Sequence, residues 1–189
     1  VPRVTGLYAR AVATFAVWAF GADRPGIVAA LTGALLEEGC NLSDCSMTIL
    51  SGHFAMVLVV DAPGGVDAAG LEAALRAPTA SFELGTAVRA IGPDELRPPE
   101  GAPHVVTVFG ADRPGIVHRV ASLLADVGVN ITDLETRTIG DQAHPVYAML
   151  LEVTIPAGVV AEELEAALRS LADTLDVDAR IHPADVAVL

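Results

Sequence analysis

GADRPGIV occupies residues 21–28, and the same eight letters, GADRPGIV, occupy residues 110–117, an offset of 89 (110 minus 21). The identity runs further than the octet. Gly39-Cys40-Asn41 answers Gly128-Val129-Asn130, and Asp44 answers Asp133, at the same offset. The offset then becomes 93: Phe54-Ala55-Met56 answers Tyr147-Ala148-Met149, Pro63 answers Pro156, and LEAALR at 71–76 returns unchanged at 164–169. The second copy therefore carries four extra residues (93 minus 89), placed near Gly140–His144, where a hairpin tip tolerates insertion best.

The first copy reads as β-α-β-β-α-β. FAVWAF (15–20) is a short apolar run closed by Gly21, a central strand. Pro25 suits the first turn of a helix, where its missing N–H costs nothing. Ile27, Val28, Leu31, Ala34 and Leu35 recur at helical spacing up to Glu38, and Gly39 is a helix stop. Asn41 to Leu50 alternates, with Ser43, Cys45, Met47 and Ile49 on one side, which predicts a half-buried edge strand. SGH (51–53) is a turn and FAMVLVV (54–60) a second central strand. Val66–Arg76 is a second helix and Ser81–Ile91 a last strand. The expected fold class is α+β, two ferredoxin-like domains in tandem at 13–91 and 103–182. Between them GPDELRPPEGAP (92–103) holds four prolines and three acids in twelve positions, which marks 92–102 as an extended linker. The central strands are apolar on both sides, yet two helices cover one face of a four-stranded sheet. The second face calls for the sister copy or a second chain.

The chain of 189 residues is 52% apolar but only 4% aromatic, so Ala, Val, Leu and Ile must fill its cores. The formal net charge is −13, which repels phosphate backbones and argues against direct nucleic-acid binding. All 11 basic residues are arginine, so neither a Schiff-base lysine nor a phosphate-loop lysine exists. The apolar run after Arg10 is about ten residues, too short for a bilayer, and no membrane or targeting segment is expected. Cys40 and Cys45 read as buried free thiols that do not pair, which fits a cytoplasmic protein.

The repeated loop has a physical reading of its own. Gly21 and Gly110 let the chain turn off the strand, and Asp23 and Asp112 stand before the helix, where a carboxylate can accept free N–H groups. Gly26 and Gly115 leave backbone amides uncovered, and Ile27 and Ile116 add theirs. Such a helix start accepts an anion, and the aspartate can take an ammonium group. Asn41 and Asn130, with donors and acceptors both, begin the next strand and are expected at the same end of the sheet. A helix cap with no ligand accounts for the same residues.

Other chemistry is not supported. The G-x-x-x-x-G spacing of the loop is followed by Ile where a phosphate loop needs Lys. Five histidines are scattered without metal-ligand spacing, so no metal or cofactor is expected. His118, one turn into the second loop's helix, stands where the first copy has Ala29. No nucleophile motif or catalytic carboxylate pair is present, and no catalytic residue is assigned.

DRPGIV at the end of a first strand, followed by a GCN or GVN step within β-α-β-β-α-β, resembles the ACT domain family. Two such modules with little else are similar to the glycine cleavage system transcriptional repressor family. The DRPG form is also similar to modules of formyltetrahydrofolate deformylases and some phosphoserine phosphatases, both of which need a separate catalytic domain. The resemblance implies a non-catalytic regulatory protein that binds a small amino acid between paired modules and signals to a protein partner, as a homodimer. It implies a site lined by the first loop of one module and the second strand of its neighbour: Asp23, Gly26 and Asn41, with Asp112, Gly115 and Asn130, to which Ile27 and Ile116 can add their backbone amides. A ligand-free interaction module and the detached regulatory subunit of a biosynthetic enzyme are the alternatives.

Overall fold

The computed structural model describes residues 12–139 and 146–184. The chain divides into two compact units between Arg97 and Pro98. The four inserted residues of the second copy lie largely outside the described stretch, as does the N-terminal segment.

The first unit runs β1 (Ala13–Ala22), α1 (Ile27–Glu37), β2 (Asn41–Leu50), β3 (His53–Ala62), α2 (Ala68–Ala80) and β4 (Gly85–Ile91). The second repeats it as β5 (Ala102–Gly110), α3 (Ile116–Asp126), β6 (Asn130–Ile139), β7 (Val146–Ile155), α4 (Ala161–Leu175) and β8 (Val177–Pro183). The sheets have strand orders β2-β3-β1-β4 and β6-β7-β5-β8, antiparallel at each recorded pairing. These are two ferredoxin-like α+β units.

Each core lies between the sheet and its helix pair. In the first, Phe15, Val17, Phe54, Leu58 and Val60 meet Ile27, Leu31, Leu35, Leu71 and Leu75. In the second, Val106, Val108, Met149, Leu151 and Val153 meet Ile116, Val120, Leu124, Leu164 and Leu168. Each such side chain contributes about 1.5–3 kcal/mol of burial. Aliphatics dominate, as the composition requires.

Several local expectations are corrected. Pro25 lies in a turn before the helix, and Gly26 is the N-cap with φ 98, so α1 starts at Ile27. The second helix starts two residues late, where Asp67 accepts the Gly70 N–H at 2.8 Å. It then passes through Pro78 to Ala80, and buried Thr79 donates to the Leu75 carbonyl at 2.7 Å across that interruption. Residues 81–84 turn, with Glu83 at φ 56, so the last strand begins at Gly85. The linker is less extended than its prolines suggest. Pro93–Leu96 forms a short 3-10 turn in which Glu95 accepts the Gly92 N–H at 3.1 Å and pairs with Arg89 at 2.7 Å. Strand β5 begins at Ala102, one residue before the expected domain start.

The edge strand departs most from expectation. A bulge at Ser43 shifts the register, so Leu42 lies opposite Val60 and Cys45 opposite Leu58. Leu42, Cys45, Met47 and Ile49 thus share the helix side of the sheet, and Ser43 instead donates to Asp61 at 2.5 Å. Asp61 also accepts from Thr14 at 2.8 Å, and these two hydrogen bonds hold its carboxyl below the usual carboxylate range. All ten residues of β2 are exposed, not half-buried, because the helices cover the inner strands only. Cys40 is buried just before the strand, whereas Cys45 is exposed upon it, so only one of the two free thiols is sheltered. On the opposite side of the sheet Phe20 and Val57 are also exposed.

Candidate functional site

The octets end β1 and β5 and open α1 and α3 in the same conformation. Gly26 has φ 98 and Gly115 φ 96, in the left-handed region that glycine occupies without strain. Neither helix has a side-chain cap. The first intrahelical bonds are Ala30 N–H to the Gly26 carbonyl at 2.9 Å and Arg119 N–H to the Gly115 carbonyl at 3.0 Å. The N–H groups of Ile27, Val28 and Ala29, and of Ile116, Val117 and His118, therefore precede the ladder. Both isoleucine side chains are buried, so these residues offer only their amides.

Asp23 and Asp112 do not act as the expected caps. They are exposed, three residues before the N-cap glycines, and the Asp23 N–H donates to the Gly52 carbonyl at the β2–β3 turn at 2.9 Å. The first glycines have a different task from the one expected. A Cβ on Gly21 would stand 2.7 Å from the Leu84 side chain, and one on Gly110 2.6 Å from Val177. They permit close packing of the neighbouring strand end rather than a sharp turn.

Sequence reasoning passed over the arginine of the motif. Arg24 meets Glu83 at 3.5 Å and Arg113 meets Asp176 at 2.8 Å. Glu83 and Asp176 are equivalent at the offset of 93, and both have positive φ, 56 and 55. The same exposed ion pair thus ties each loop to the turn before the last strand. The offset alone could have shown that the two acids correspond.

Asn41 and Asn130 are not beside their own loops. Asn41 is registered on Asp61 and through it on Thr14, whereas the loop follows Ala22, which is registered on His53. Eight residues along β3 separate the two ends, about 27 Å at strand rise. Asn130 is registered on Thr154, seven residues along β7 (154 minus 147) from Tyr147, the partner of Gly110. The helix returns the chain to the start of the first strand, so β2 runs parallel to β1, and the expectation of a shared end fails for geometric reasons. Each unit brings together Asp23, Gly26 and Ile27, or Asp112, Gly115 and Ile116, and leaves its asparagine at the far end.

Tyr147 was also missed. It lies across from Gly110 on β7, is only 9% exposed, and has Phe54 as its counterpart. Burial, then the nearby Asp112 charge, raises its hydroxyl pKa, opposed by a hydrogen bond with Thr136. Among the described residues no cluster of His, Cys, Asp or Glu is fit to hold a metal, and no helix is long and apolar enough to cross a membrane.

Comparison with known families decides what these loops belong to. ACT domain models match residues 13–89 and 104–169. The chain belongs to the ACT domain family. Among its ACT relatives is the glycine cleavage system transcriptional repressor of Escherichia coli K12, 28% identical over 88% of this chain and 87% of the relative. Phosphoserine phosphatase SerB2 of Mycobacterium tuberculosis is 30% identical over 86% of this chain but only 39% of the phosphatase. A crystal structure of an unknown protein from Galdieria sulphuraria superposes with a TM-score of 0.81 at 27% identity, covering 92% of this chain and 99% of that one. The tandem ACT architecture is thus shared along nearly the whole chain.

Proposed function

We propose that this is a non-catalytic cytoplasmic regulator that binds a small amino acid between ACT modules of two chains and passes the signal to a protein partner. The relation to a transcriptional repressor supports transcriptional control as the output, and the net charge of −13 favours action through a DNA-binding partner over direct contact with DNA.

One observation carries the reading: the loop and the asparagine of each unit lie at opposite ends of a sheet whose outer strand is bare. β2 presents ten exposed residues and an unpaired edge, which calls for another strand. Antiparallel pairing with β2 of a second chain, centred on Ser46, sets Asp44 against the partner's Thr48, with no like charges opposed. The partner's Asn41 then arrives beside Ser51, at the turn whose Gly52 carbonyl holds the Asp23 N–H. The uncapped amides after Gly26 receive the ligand carboxylate, Asp23 its ammonium, and the partner's asparagine closes the site. The ligand acts by its difference in affinity for the paired arrangement.

Thermal unfolding against each common amino acid tests this. A ligand at a hundred times its Kd adds about 2.7 kcal/mol. We expect one or a few amino acids to raise Tm, with the rise lost in Asp23→Ala combined with Asp112→Ala, or in Asn41→Ala combined with Asn130→Ala. A flat response across the panel would leave the loop a helix start and the protein a pairing module without ligand.

A further inference from the structure

The two loops are the same, but their surroundings are not. Beside the first, the helix side of the sheet carries Phe54, Met47 and Ile49. Beside the second, the equivalent positions are Tyr147, Thr136 and Thr138. All three have changed from apolar to polar. Thr138 and Tyr147 are cross-strand partners level with Gly110, the first residue of the octet, and Thr136 is one row further in. At the centre stands Tyr147, nine-tenths buried, with Thr136 on one side and Asp112 near it.

We propose that the two copies have diverged in the ligand side chain they read, and that the second unit's site selects an amino acid with a hydrogen-bonding side chain, a hydroxyl or an amide. This rests on the amino-acid reading of the loops given above. A tyrosine hydroxyl both donates and accepts, and a single threonine hydroxyl beside it can engage only part of that capacity. A ligand hydroxyl or carboxamide satisfies the remainder. An aliphatic side chain leaves it unpaired in a buried place, the situation that sites built for hydrogen bonding discriminate against most strongly. At the first unit Phe54, Met47 and Ile49 offer no such partner, and its loop favours aliphatic side chains.

Calorimetric titration of the full chain with L-serine, L-threonine, L-asparagine, L-valine and L-leucine decides the matter. We expect the serine, threonine or asparagine class to bind and to weaken roughly tenfold in Tyr147→Phe, the loss of one net hydrogen bond. Thr136→Met should add to that loss. Thr136→Ser, which keeps the hydroxyl, should bind as the parent does. Valine or leucine binding should ignore the Tyr147 change. Serine-class binding that is equally strong in Tyr147→Phe and Tyr147→Phe/Thr136→Met, with both folded by circular dichroism, would overturn the inference while leaving the amino-acid reading intact. Silence across the panel would remove that reading, and this inference with it.

Discussion

The outward positions Val28, Ala29, Gly33 and Leu36 of helix α1 in the first unit are apolar or glycine, whereas the second unit places Val117, His118, Ser122 and Ala125 at those positions. The open sides of the sheets differ in the same sense. Val59, Gly85 and Ala87 of the first correspond to Glu152, Asp178 and Arg180 of the second. What duplication has preserved is the set of residues that fix the backbone: the crowded glycines 21 and 110, the left-handed glycines 26 and 115, and the arginine clamps. What has drifted is the lateral surface. A duplicated chain can hold one loop constant and offer it two environments, one suited to apolar contact and one to polar contact.

The comparison predicts where the units must respond alike and where they must not. The largest effect belongs to the shared cores. Leu58→Ala and Leu151→Ala, equivalent and fully buried, should each cost about 2–5 kcal/mol in denaturant unfolding. A loss confined to one of them would break the equivalence of the cores. Next come the left-handed glycines. Gly26→Ala and Gly115→Ala place a Cβ where φ is near 100° and should each cost about 1–2 kcal/mol by the same measurement. Gly115 has open space around its Cβ, so its cost isolates the backbone strain. The clamps should separate the units mildly. Both pairs are largely exposed, so Arg113→Ala should cost at most about 1 kcal/mol, and Arg24→Ala, whose partner is 3.5 Å away, less. Both costs should shrink in high salt.

The smallest effect is one of pH and is confined to the first unit. Asp61 has Thr154 as its counterpart, so only the first unit holds this carboxylate. Its folded pKa is depressed, so its contribution is present above the unfolded value of about 3.9 and disappears as pH falls through the folded one. Asp61→Asn should lower Tm at neutral pH and should equal the parent in strong acid. A difference that persists there would show that the bonds from Thr14 and Ser43, not the charge, matter.

Much of this was readable in the letters. The repeat exposed two modules, periodicity placed the strands and helices, and the change in offset located an insertion. The failures have specific causes. The N-cap was assigned to Asp23 because acids favour that place, but Gly26, free to take positive φ, starts the helix later. Alternation assigns Cys45 to one side of the sheet but does not say whether anything covers that side, and Cys45 is exposed. Asn41 was set beside the loop because it follows the helix closely, yet a strand that returns through a helix begins at the other end. The loop arginines were invisible because their partners, Glu83 and Asp176, lie 59 and 63 residues downstream.

Backbone hydrogen exchange on the full chain, with and without saturating L-serine, tests the central claim most directly. The account predicts slower exchange at the amides of Ile116, Val117 and His118 and along β6, with a smaller response at Ile27, Val28 and Ala29. Unchanged exchange at both loop–helix junctions, in a sample where calorimetry shows the amino acid to be bound, would contradict it and place the ligand elsewhere.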